Sequence, residues 1–78
     1  MKLIQILGTG CPKCHKLEES TRQAAKEAGL ECEIRKVTDI NAIMQMGVMM
    51  TPGLVIDGKV KLSGRVPSVE ELKKIIAE

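Results

Sequence analysis

The sequence predicts a small α/β domain with element order β-α-β-α-β-β-α, a mixed four-stranded sheet and helices on both faces. Three observations carry this. Apolar runs of strand length alternate with helical spacing of apolar residues. A Cys-x-x-Cys pair, Cys11 and Cys14, stands where the first apolar run gives way to helical spacing. Asp57-Gly58 separates two strand-like runs and is the strongest short hairpin signal in the chain.

Residues 2–7 read as the first strand. Apolar side chains occupy both parities with only Gln5 among them, as in a central strand covered on both faces. Gly8-Thr9-Gly10 then forms a turn. Residues 12–28 read as a helix, because Pro12 suits a first position that needs no N–H. Its buried face is Cys14, Leu17, Thr21, Ala24, Ala25 and Ala28. Glu18 and Arg22 are spaced to pair on the outer side, and Gly29 supplies the stop. Residues 30–37 alternate, with Leu30, Cys32 and Ile34 on one face and Glu31, Glu33 and Arg35 on the other. This fits an edge strand with one solvated face. The helical crossover makes the two strands parallel and the connection right-handed.

Thr38 or Asp39 caps a short helix over 39–46, with Ile40, Ile43 and Met44 expected inward and Gly47 ending it. Residues 48–52 form a loop into Gly53-Leu54-Val55-Ile56, a fully apolar and hence central strand. After Asp57-Gly58 comes a strand over 59–63. Val60 and Leu62 are expected to face in, while Lys59 and Lys61 guard an edge. Ser68-x-x-Glu71 is a capping box that opens a last helix over 69–77, burying Val69, Leu72, Ile75 and Ile76.

The 78 residues suffice for one domain, spanning 1–78. A chain of this size buries only about 60% of its unfolded surface. With no Phe, Tyr or Trp, its core must come from Leu, Ile, Val, Ala and Met. The net charge of +2 and the absence of aromatics argue against a nucleic-acid partner. No apolar run reaches the roughly 18 residues of a membrane span. The chain starts with Met and shows no signal-peptide pattern, so the cytoplasm is the expected location and a monomer the expected state. Three cysteines make no even disulfide framework. In a reducing compartment the pair is more often catalytic or metal-binding than structural.

A thiolate, not a thiol, attacks a disulfide. Cys11 is expected at or just before the first turn of the 12–28 helix. Unpaired backbone N–H groups, the helix dipole and Lys13 would favour its negative charge there. Cys14, one turn on and beside Leu17, should be more buried. Cys11 is thus the expected nucleophile and Cys14 the resolving thiol. A structural disulfide is a weak rival on magnitude. Closing so short a loop constrains the unfolded chain by only about 2 kcal/mol, between residues that are already neighbours.

Three blocks in order carry a resemblance. They are Gly8-x-Gly10-Cys11-x-x-Cys14, then Gly47-Val48-Met49-x-Thr51-Pro52-x-Leu54-Val55-Ile56-Asp57-Gly58, then Gly64-x-x-Pro67-Ser68-x-Glu70-Glu71. Together they resemble the small thioredoxin-like "redox-active disulfide" proteins of archaea and bacteria. The resemblance implies a minimal thioredoxin fold and a dithiol active site at Cys11 and Cys14, supported by Pro12, Lys13, Thr51 and Pro52. It also implies a cis bond at Pro52, with Thr51 and Met50 offering backbone and side chain to a substrate that pairs as an added strand. The expected activity is thiol–disulfide exchange on protein disulfides, with an unidentified reductase and no cofactor or metal. The sequence departs from related families in places. Gly10 stands where thioredoxins have Trp, and their buried Asp has no evident counterpart, since strand one offers only Gln5. Lys13 and residues 64–67 replace groups that glutaredoxins use, so glutathione is not expected. Gly53, where alanine is usual, is expected to loosen packing.

Two other chemistries fit the same cysteines. Cys11-x-x-Cys14-His15 matches the attachment motif for c-type haem, but the hairpin and strands oppose a helical haem domain. A soft-metal carrier for Cu(I) or zinc would also begin with strand, Cys-x-x-Cys and helix. Such domains end in a strand, whereas residues 69–77 form a capped helix. Cys32 is read as a small apolar residue of strand two, and His15 as an exposed helix residue.

Overall fold

The computed structural model describes residues 2–10 and 12–78. The elements run β1 (Lys2–Leu7), α1 (Pro12–Ala28), β2 (Cys32–Val37), α2 (Ile40–Gln45), β3 (Gly53–Ile56), β4 (Lys59–Ser63) and α3 (Val69–Ala77). The sheet order is β2-β1-β3-β4. β1 pairs parallel with β2 and antiparallel with β3, and β3 pairs antiparallel with β4. The two strands read as central, β1 with apolar side chains on both faces and the fully apolar β3, do occupy the centre, and β2 is an edge.

Strand alternation divides the core in two. Ile4, Ile6, Leu54, Ile56 and Leu62 meet Leu17, Ala24 and Ala25 of α1 and Leu72 and Ile76 of α3. Leu7 and Val55 point the other way, onto Ile43 of α2 and Val48. The alanines let α1 lie close to the sheet. Thr21 is fully buried on the same face, and its hydroxyl lacks a hydrogen-bond partner.

The local signals act as expected at most junctions. Gly29 and Gly47 take positive φ (68° and 85°) just after α1 and within the turn that ends α2. Asp39 is the N-cap of α2, its carboxylate accepting from the Asn41 N–H. Asp57 and Gly58 both have positive φ, as a two-residue hairpin turn with right-handed twist requires. The Asp57 backbone N–H donates to Leu3 O and its carboxylate accepts from Leu3 N, which ties the hairpin to β1. Ser68 Oγ accepts from Glu71 N, one half of the capping box. The Glu71 carboxylate pairs with Arg65 rather than closing the other half.

Four packing expectations are corrected. β2 starts at Cys32, and Leu30 lies outside it, exposed. Ile40 and Met44 are each 59% exposed, because the six-residue α2 turns only Ile43 fully inward. Val60 is exposed because the ladder shifts register: Leu54 faces Leu62 while Val55 faces Val60, which leaves Lys61 unmatched. That bulge puts Val60 and Leu62 on opposite faces. It also lets Lys61 reach Glu78 at 3.2 Å instead of standing free as an edge guard. Gly53, finally, is tightly packed. A Cβ there would stand 2.9 Å from Val48 Cγ1, so the missing side chain is the space Val48 fills.

Candidate active site

The end of β1 and the start of α1 converge with a loop some forty residues further along the chain. β1 runs into Gly8, whose N–H donates to Val37 O at 3.0 Å, so the chain leaves the sheet with its backbone held against β2. α1 begins at Pro12 and brings Cys14 back under this turn, buried beside Leu17. The sulfur lies against Gly8 itself. A Cβ on Gly8 would fall 2.2 Å from Cys14 Sγ and 4.0 Å from Thr51 Cβ. No side chain but hydrogen fits there. Beyond its place in the turn, Gly8 makes room for the Cys14 sulfur, a role that spacing along the chain does not signal.

Thr51 belongs to the loop before β3, and its bond to Pro52 is cis. Pro52 is buried and Thr51 exposed, so the loop shows Thr51 outward. Gly64 N–H donates to Pro52 O at 2.8 Å, pinning this loop to the one after β4. Met50 is exposed and rests on Gly64, its Cβ 3.2 Å from where a Gly64 Cβ would be. Pro12 and Lys13 are exposed in the first turn of α1. The expected nucleophile, Cys11, lies outside the described residues. Of the other expected site residues, Cys14 and Thr51 meet at Gly8, Pro52 and Met50 extend that loop, and Pro12 and Lys13 flank it on the helix.

A cavity of about 80 Å³ opens beside Cys14, lined also by Gly8, His15, Glu18 and Lys36. Space of this size holds water. Glu18 is one helical turn beyond Cys14. Its carboxylate is held from both sides: Lys36 Nζ lies 3.1 Å from Oε1, and Arg22 Nη2 lies 3.0 Å from Oε2. Burial pushes the Glu18 carboxyl up, but hydrogen bonds from Lys36 and Arg22 outweigh it, and the group sits below its ordinary value. The Glu18–Arg22 pair was legible from its spacing. Lys36 was not, because its contact depends on how β2 lies against α1. Gln5, the polar residue of strand one, is only half-buried.

Thr51 lines a separate groove of about 220 Å³ together with Thr9, Ile40, Met44 and Met49 among others. Ile40 and Met44, expected inward, thus form an apolar rim there with Met49. Cys32 pairs with Lys2 in the ladder, while Leu7, the last residue before the site, pairs with Val37. Five residues of strand separate the two ends, roughly 16 Å. Cys32 is half-buried against the core there, as a small apolar residue would be. Among the described residues, no three His, Cys, Asp or Glu side chains gather to hold a metal ion, and no helix is long and apolar enough to cross a membrane.

Comparison with known proteins agrees with this architecture. A thioredoxin-domain family matches residues 2–77. A protein named thioredoxin from Methanothermobacter thermautotrophicus is 46% identical over 77 residues, covering 99% of this chain and all of the relative. A thioredoxin from Methanocaldococcus jannaschii is 46% identical over 74 residues, covering 95% of this chain and 85% of the relative.

Proposed function

Since the chain belongs to the thioredoxin family, we propose that it is a thiol–disulfide oxidoreductase acting on protein disulfides, with Cys11 as nucleophile and Cys14 as resolving thiol. One observation carries the assignment of Cys14. Its sulfur is buried against a glycine that could be nothing larger, within reach of the loop that displays Thr51.

The exchange runs in two displacements. The Cys11 thiolate attacks one sulfur of the substrate disulfide, forming a mixed disulfide and expelling the other substrate sulfur as a thiolate, which takes up a proton. Cys14 then loses its proton, and its sulfur attacks Cys11 Sγ. The bond between Cys11 and the substrate breaks, and the second substrate thiolate leaves. Two electrons have moved to the substrate, the protein holds a Cys11–Cys14 disulfide, and a reductase returns it to the dithiol. Cys11 precedes a helix whose first turn carries no acidic residue and does carry Lys13, surroundings that favour a thiolate. Thr51 and Met50 present backbone and side chain to the substrate segment, and Pro52 holds that loop in place. Proton transfer from Cys14 passes into the water-sized cavity beside it. We place the protein as a single-domain monomer in a reducing, cytoplasmic setting, where an exchangeable dithiol stays poised.

The test is reduction of insulin disulfides with a dithiol as electron source. The wild type is expected to turn over, while Cys14→Ser accumulates a mixed disulfide at Cys11. Stoichiometric, tight Cu(I) binding by the reduced protein under anaerobic conditions, with no turnover, would contradict the proposal and favour metal carriage.

A further inference from the structure

The cleft on the α1 side of the site is basic and open. It measures about 560 Å³ and is lined by Pro12, Lys13, Lys16, Gly64, Arg65 and Val66, with no acidic side chain among them. Many of the other cations are committed: Lys36 and Arg22 hold Glu18, Lys61 holds Glu78, and Lys73 holds Glu27 and Glu70. Arg65 shares Glu71, but Lys13 and Lys16 have no ion-pair partner among the described residues. The chain as a whole carries only +2, so this is local clustering rather than general basicity. Its placement lowers stability. Cations near the start of a helix oppose the helix dipole, and like charges three residues apart repel.

The cleft is also continuous with the exposed loop of the site. Met50 rests on Gly64, Gly64 is hydrogen-bonded to Pro52, and Arg65 follows Gly64. A chain lying along Thr51 and Met50 therefore runs into Arg65 and the two lysines.

Building on the oxidoreductase proposal, we propose that the Lys13–Lys16–Arg65 cleft docks an acidic segment of the polypeptide that carries the substrate disulfide. The occupant is a polypeptide because the continuous track from Thr51 to Arg65 suits an extended chain. Its acidity follows from three cations facing one space with no acidic side chain lining it.

The test uses the full chain and three fluorescein-labelled peptides of equal length, with serines in place of the disulfide cysteines and Glu, Gln or Lys beside them. At about 0.01 M salt the Glu peptide is expected to bind about fivefold more tightly than the Lys peptide, and at about 1 M salt the gap should close. Lys16→Gln should narrow the gap and Lys16→Glu should narrow it further, to within about twofold. Binding of Glu and Lys peptides by the wild type within about twofold at low salt, or a gap of undiminished size in Lys16→Glu, overturns the proposal. So does full displacement of the Glu peptide by millimolar succinate, which would make this a small-anion site. The disulfide forms of the same peptides separate the two proposals. Preferential binding without reduction of any peptide contradicts the oxidoreductase and leaves the cleft standing. Reduction of all three without preference overturns the cleft alone.

Discussion

The two long helices share one face of the sheet, yet their first turns follow opposite rules. α3 opens on Ser68 as N-cap, with Glu70 and Glu71 in its first turn and Lys74 in its last. Every one of these groups satisfies an end N–H or complements the dipole. α1 opens on Pro12 and Lys13, with no acidic residue in its first turn. Its positive end is left uncompensated and even reinforced. Both helices bury their apolar faces in the same core, so packing does not explain the contrast. The difference teaches that the start of α3 is arranged for stability, whereas the start of α1 keeps a positive field free for an anion, the thiolate expected at Cys11.

That contrast can be broken by substitution. The largest effect is expected from Gly8→Ala, which drives a methyl group into Cys14 Sγ. Overpacking should cost about 1–3 kcal/mol of stability and slow exchange, read from denaturant midpoints and insulin reduction. At the other helix, Ser68→Ala should cost about 1 kcal/mol with exchange rates unchanged, since Ser68 supports only α3. Lys13→Glu is the sharper probe. It should raise stability by about 0.3–1 kcal/mol by restoring the dipole rule at α1. At the same time it should shift the alkylation profile of Cys11 to higher pH. Stability and reactivity moving together would dissolve the contrast.

The smallest effect concerns Glu18. Its carboxyl is lowered in the folded protein by Lys36 and Arg22, so the native state binds fewer protons there than the unfolded chain. Its contribution is therefore complete above the ordinary carboxylate value of 4.5 and is lost as pH falls through the lower folded value. Glu18→Gln should be less stable than wild type at pH 7 by under about 1 kcal/mol, given solvent screening, and the two should converge as pH falls below the ordinary carboxylate range. Urea midpoints across that range measure it.

Much of this architecture was legible because local signals and burial agreed. Apolar side chains on both faces of β1 and the fully apolar run of β3 placed them at the centre, and Asp57-Gly58 fixed the hairpin. Cys14 followed from its spacing with Leu17. The failures share a cause. Ile40, Met44 and Val60 are apolar residues whose exposure depends on the length of α2 and on a bulge opposite Leu54 and Val55, neither written in periodicity. Gly53 and Gly8 carry meaning only through what occupies the space of their missing Cβ, Val48 in one case and the Cys14 sulfur in the other. Lys36 enters the site only because β2 pairs with β1 in the register that sets Lys36 opposite Ile6. Of the apolar residues misplaced in the core, Ile40 and Met44 line the groove that includes Thr51, whereas Val60 does not.

The central claim is that Cys11 and Cys14 form one exchangeable pair in which Cys32 takes no part. A redox titration with mass-spectrometric mapping of the disulfide tests it directly. The expected result is a single two-electron transition between roughly −180 and −300 mV, with a Cys11–Cys14 bond in the oxidised form and Cys32 a thiol throughout. A bond that includes Cys32, or no reversible bond in that range, would contradict it.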